Sequence, residues 1–111
     1  MGADGLEVGA IRLAKRFEGD LTGTSQVRMV SAGIGGEPAI YVALELIEGT
    51  LLGRRGSFLL RHLGVIADGV GTLDCVVVPG SGTGALTGLT GSLAIEITDG
   101  VHHYMLDHTL D

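Results

Sequence analysis

Cysteine, proline and lysine are scarce in this chain: one cysteine, two prolines and one lysine in 111 residues. A lone cysteine, Cys75, excludes an internal disulfide. The charge-poor stretch that ends in Cys75–Ile95 is broken by Pro79 and by glycines, so it is not a membrane span. No charged start is followed by an apolar run, which argues against a secretion signal and for a cytoplasmic home. Basic residues are scarce as well. Seven Lys+Arg stand against thirteen Asp+Glu, a net charge of −6, and phosphate-backbone binding needs a basic face. Arg54-Arg55 is too small to supply one. Nucleic acid and membrane are therefore not expected partners.

Glycine is abundant, at 20 residues of 111, where ~7% is usual. The glycines show no collagen period. Hydrophobic residues make up 45% of the chain and mean hydropathy is +0.43, too high for a disordered segment. The length fits a single domain, 1–111, with a small core and an N-terminal arm over residues 1–10.

The hydrophobic period is two. Short runs of Val, Ile, Leu and Thr alternate with glycine-containing turns, which predicts an all-β domain. Strands are expected at Ile11–Phe17, Leu21–Val30, Ile40–Ile47, Ser57–Ile66, Thr72–Val78, Gly91–Thr98 and His102–Leu110. An internal repeat runs through the chain: Gly19-Asp-Leu21-Thr-Gly23, Gly49-Thr-Leu51-Leu-Gly53 and Gly84-Ala-Leu86-Thr-Gly88. It suits hairpins in which glycine takes the turn and Leu or Phe returns to the core. Asp99-Gly100 reads as a further hairpin turn. With no helix to cover a face, such hairpins close into a barrel or stack as a sandwich, and the glycines at strand ends favour a small antiparallel barrel.

Several motifs together carry a resemblance. They are Arg16-Phe17-x-Gly19-Asp20-Leu21, Tyr41-Val-Ala-Leu-Glu45 with Gly49-Thr-Leu51, Gly53-Arg54, Gly56-Ser-Phe58 and His62, then Val77-Val78-Pro79-Gly80-Ser-Gly82-Thr-Gly84, and Asp99-Gly100-x-His102-x-Tyr104. Over residues 12–110 the chain resembles a bacterial family of unknown function with the allene oxide cyclase-like β-barrel fold. The resemblance implies a barrel of about seven to eight strands, here with the N-terminal strand shortened or missing. It does not fix a reaction. Against the family pattern, Leu46, Leu63, Val76, His103 and Met105 stand where polar residues are usual, and Arg61 where an amide is common.

Alternation sorts each strand into two faces. One face carries Leu13, Lys15 and Phe17, then Tyr41, Ala43, Glu45 and Ile47. It continues with Phe58, Leu60 and His62, then Leu73, Cys75 and Val77, then Leu93, and last His102, Tyr104, Leu106 and His108. Taken as the interior, this is an apolar cavity with a few acid–base groups, the usual form of a small-molecule pocket. Glu45, His62, Lys15 and Tyr104 are the candidate catalytic residues. Tyr41, Phe58, Leu60, Cys75, His102, Leu106 and Arg61 are candidate substrate contacts. Arg61 lines the pocket only if the faces are inverted, together with His103, Met105, Leu46 and Leu63. Each assignment has a plainer rival: Glu45–Lys15 as a structural ion pair, His62 as a core histidine, the tyrosines as wall, Arg61 as solvated.

A metal site is not expected. His102 and His108 lie about 20 Å apart along one strand, and His102-His103 point to opposite faces. Gly80-Ser-Gly82-Thr-Gly84 lacks the lysine and helix of a phosphate loop. Cys75 lacks a thiolate-favouring context, and Ser25 and Ser57 lack a nucleophile elbow. The middle strands are apolar on both faces, which implies a homo-oligomer, dimer or higher. The functional expectation is a cofactor-independent cyclase or isomerase, with dehydration an option. It would act by acid–base catalysis on a hydrophobic polyketide-like or oxygenated-lipid substrate. The alternative is a non-catalytic barrel that binds or carries a hydrophobic small molecule.

Overall fold

The computed structural model describes residues 1–98 and 101–110, and side chains outside 95–104. Eight strands follow in chain order: β1 (Gly2–Ala3), β2 (Leu6–Phe17), β3 (Leu21–Ile34), β4 (Glu37–Leu51), β5 (Arg54–Ala67), β6 (Val70–Val77), β7 (Thr90–Thr98) and β8 (Val101–Thr109). They form one antiparallel sheet in sequential order. All seven expected strands are present, most of them longer than expected at one or both ends. β2 begins at Leu6 and so draws half of the expected N-terminal arm into the sheet.

The strand ends extend because the turns between them are tight. Gly35-Gly36, Leu52-Gly53 and Asp68-Gly69 each have positive φ at both positions, the two-residue geometry that matches strand twist. Only glycine, and less readily Asp or Asn, takes that conformation without cost. The Asp99-Gly100 turn lies outside the described residues.

The barrel expectation is corrected. Among the described residues the strand order is linear from β1 to β8, with no ladder joining the ends. The sheet is curled but not closed. Phe17 of β2 and Leu21 of β3 pack on the same core as Leu93 of β7 and Leu106 of β8, so the two ends approach through side chains. Close backbone approach at glycines permits the curl. Gly23 and Gly49 are register partners, and a Cβ on Gly49 would lie 2.1 Å from the Thr22 carbonyl oxygen. A side chain there would push the strands apart.

The third repeat copy does not make a hairpin. β6 meets β7 at a single rung, Val76↔Ser92, and residues 78–89 between them fold back along β5. Val78 N–H donates to Leu59 O and Thr83 N–H to Ser57 O, both at 2.8 Å. A 3-10 turn, Gly84–Leu86, drives Leu86 into the interior, and Leu86 and Leu89 are both 0% exposed. The leucine returns to the core as the repeat suggested, but from a loop that plugs the sheet.

The core lies toward one end, around Ile47, Leu51, Phe58, Leu60, Cys75, Val77, Leu86 and Leu89. The opposite ends of β2–β6 carry exposed Ile11, Val30, Ile34, Ile40 and Val70. This projection explains a radius of gyration of 15.4 Å, where about 13 Å is usual for ~100 residues.

Candidate functional site

On β4 and β5 and at the end of β6 the faces fall as alternation placed them, while Leu13 of β2 and Leu73 of β6, expected inside, are exposed where the sheet projects past its core. Ala43, Glu45 and Ile47 on β4, Phe58, Leu60 and His62 on β5, and Cys75 and Val77 on β6 are all buried. Val42, Leu44 and Leu46 on the other face of β4 are exposed.

A polar cluster sits within this apolar face. Glu45 is 1% exposed and His62 4%. The sheet register pairs Glu45 with Leu60 and Ala43 with His62, so the two side chains are diagonal neighbours within reach of each other. His62 Nε2 and Glu45 Oε1 are 2.8 Å apart. The second carboxylate oxygen accepts the Ser25 hydroxyl from β3 at 2.5 Å, the short length of a bond to a charged acceptor. Lys15 Nζ of β2 is 3.7 Å from Oε1, and its side chain is 32% exposed. Burial works to raise the Glu45 pKa, but the hydrogen bonds to His62 and Ser25 and the Lys15 charge outweigh it and hold the carboxyl below its ordinary 4.5. Glu45 is therefore an ionised, fully partnered carboxylate. Among the described residues no buried side-chain nitrogen or oxygen lacks a hydrogen-bond partner.

Since Glu45 is an acceptor, His62 Nε2 carries the proton that it donates. Cys75 Sγ approaches the same nitrogen at 3.8 Å, so that nitrogen cannot take the thiol proton. Burial, followed by the Glu45 charge, pushes the Cys75 pKa up to about 11. Cys75 is a neutral thiol in contact with the cluster, without the activation a nucleophile needs. Among the described residues no three histidines, cysteines or carboxylates assemble into a metal-binding group.

The open space lies beside this cluster. A cavity of about 550 Å³ is floored by Ile47, Phe58 and Leu60 and walled by Phe17, Leu93 and Leu106, with Glu18, Asp20, Leu52 and His108 also lining it. Ile47 and Leu60 each stand two residues along their strand from Glu45 and His62, so the cluster lies one layer below the floor. Glu45, His62 and Lys15 do not line the cavity.

Sequence comparison matches residues 1–108 to the family described as protein of unknown function (DUF3224). The chain belongs to this family. A solved structure from Shewanella oneidensis MR-1, titled as a protein with unknown function from the DUF3224 family, has 42% sequence identity and a TM-score of 0.93. The match covers 99% of the present chain and 83% of that one. No curated protein matches the chain. Neither match names allene oxide cyclase, and what they share is a DUF3224 family of unknown function.

In this DUF3224 chain, Glu45, His62 and Lys15 converge, and Cys75 touches them. Phe58, Leu60 and Leu106 line the cavity instead. Tyr41 is half-buried on the same face, beside Gly64 of β5, with its pKa raised by burial and by the nearby Cys75. Arg61 is on the outer face, 3.1 Å from Asp74, beside Leu63. The side chains of His102, His103 and Tyr104 lie outside the described residues. Sequence reasoning missed Ser25, whose alternation with Val27 on β3 already placed it on the inner face. It also missed Glu18 and Asp20, which belong to a turn, where strand periodicity carries no facing information.

Proposed function

We propose that this chain is a binding module that holds a hydrophobic small molecule in the cavity between Phe17, Phe58, Leu60 and Leu106. The observation that carries the reading is the separation of the open space from the acid–base groups. A cavity of about 550 Å³ lies within the usual range of ligand pockets, about 300–1,000 Å³. Its floor is apolar, while Glu45 lies below it with both carboxylate oxygens hydrogen-bonded, to His62 and Ser25. An allene oxide cyclase-like wrapping of the curled sheet round the ligand is part of this proposal. Native mass spectrometry of the purified chain tests it. A retained apolar molecule, lost when Leu106→Trp fills the cavity, is expected. A chain that is empty and also fails to bind a neutral apolar dye sinks the reading.

The second reading is the cofactor-independent cyclase or isomerase. The partial exposure of Lys15, 32%, supports it by offering a path from solvent to a buried carboxylate. Under that reading, Glu45→Gln abolishes turnover of the co-purified molecule while leaving its retention unchanged. Turnover that survives Glu45→Gln rules it out.

We further infer self-association through the projecting ends of β2–β6. Exposed apolar side chains occupy both faces there, including Ile11 and Leu13 on one and Val30 and Val42 on the other. A second copy laid on this ladder would bury them. A monomeric mass in light scattering at micromolar concentration contradicts this.

A further inference from the structure

Beyond its apolar floor, the cavity has a charge pattern at its rim. We propose that the preferred occupant is a cationic amphiphile, an apolar body bearing an amine or similar head group. The inference rests on the binding reading above and adds the class of ligand.

Two carboxylates, Glu18 and Asp20, line the cavity, and His108 is the only other ionisable group lining it among the described residues. No lysine or arginine is in that lining. Arg54 borders a neighbouring groove with Leu51, Leu52 and His108. His108 directs Nδ1 toward the Leu106 carbonyl at 3.4 Å, and Asp20 and Glu18 form no ion pair within the described chain. The lining therefore carries two unpaired carboxylates and no basic side chain above an apolar floor, with Arg54 in the groove beside it. Carboxylates at the mouth of a low-dielectric cleft concentrate cations and repel anions.

The adjacent turn supplies an apolar edge. Leu52 has φ 49, where glycine or asparagine is usual, and it is 59% exposed. Its backbone N–H donates to the Asp20 carbonyl at 2.8 Å, which ties the apolar edge to the acidic one. An apolar side chain held in a costly conformation at a cavity rim fits contact with the ligand's body just below its head.

The test uses the full chain at near-neutral pH with the neutral dye N-phenylnaphthylamine in the cavity. Decylamine, decanol and decanoate compete for it, sharing one tail and differing in head charge. Decylamine should displace the dye at a concentration at least about tenfold below that of decanoate, as expected for like-signed and opposite-signed charges near two carboxylates. Glu18→Gln with Asp20→Asn should remove that preference and leave displacement by decanol unchanged, which also shows that the cavity is intact. Equal displacement by all three ligands overturns the cationic inference while the apolar pocket stands. Failure of the dye and of every competitor to bind overturns both.

Discussion

Glu45 and His62 lie diagonally across the β4–β5 ladder, joined by a 2.8 Å hydrogen bond, and the same carboxylate takes the Ser25 hydroxyl with its other oxygen. One side chain thus fastens three adjacent strands through polar groups inside an apolar face. Breaking such a cluster costs more than its net contribution, because the remaining partners stay buried. Glu45→Ala is expected to lose about 3 kcal/mol of stability in urea unfolding. Glu45→Gln, which keeps an acceptor, should lose about 1–2 kcal/mol. Equal losses for the two variants would show that packing alone matters at this position.

Stability should fall at both ends of the pH scale, for different residues. The folded Glu45 pKa is depressed below 4.5, so its contribution is complete above that value and is lost as pH falls through the folded pKa. The folded Cys75 pKa is raised from 9.0 to about 11, so its contribution is complete below 9.0 and is lost as pH rises toward 11. Two units correspond to about 2–3 kcal/mol. Urea midpoints measured across pH should show both losses. Cys75→Ala should shrink the alkaline loss to the part that Tyr41 contributes, since burial raises its pKa too, and Glu45→Gln should remove the acid one.

Tyr41 and Gly64 are cross-strand partners, and a Cβ on Gly64 would stand 2.0 Å from the Tyr41 ring. The glycine makes room for the ring. Gly64→Ala should cost about 1–3 kcal/mol by overpacking, and most of that should vanish in a Tyr41→Ala background. A double-mutant cycle in urea measures the coupling. Additive losses would mean that the ring does not lie over Gly64 in solution.

Leu52 sits in a two-residue turn at positive φ, a conformation that costs a non-glycine residue about 1–2 kcal/mol. Leu52→Gly or Leu52→Asn should therefore raise the melting temperature. If the side chain also touches a ligand, the same change should weaken decanol binding. A stabilised variant with unchanged binding would leave the turn strain without a functional counterpart.

The strands and their faces were legible in the amino-acid pattern, because alternation has a period of two and one buried face forces the register. It put Glu45, His62 and Lys15 on that face, and Phe58, Leu60 and Leu106 as well. The paired turn residues Gly35-Gly36 and Asp68-Gly69 also carried their hairpins in their chemistry. The rest depended on how the strands curl and pack across one another. Periodicity specifies which way a side chain points but not how far the sheet curls, so it could not show that Phe17 and Leu106, from opposite ends of the sheet, pack on one core with no closing ladder among the described residues. Nor could it show that residues 78–89 fold inward, since Leu86 and Leu89 lie outside any strand pattern. The separation of the Glu45 cluster from the cavity has the same origin. Two residues along a strand are two steps on one face, and whether the step between them is a floor or an opening depends on side chains that other strands bring across.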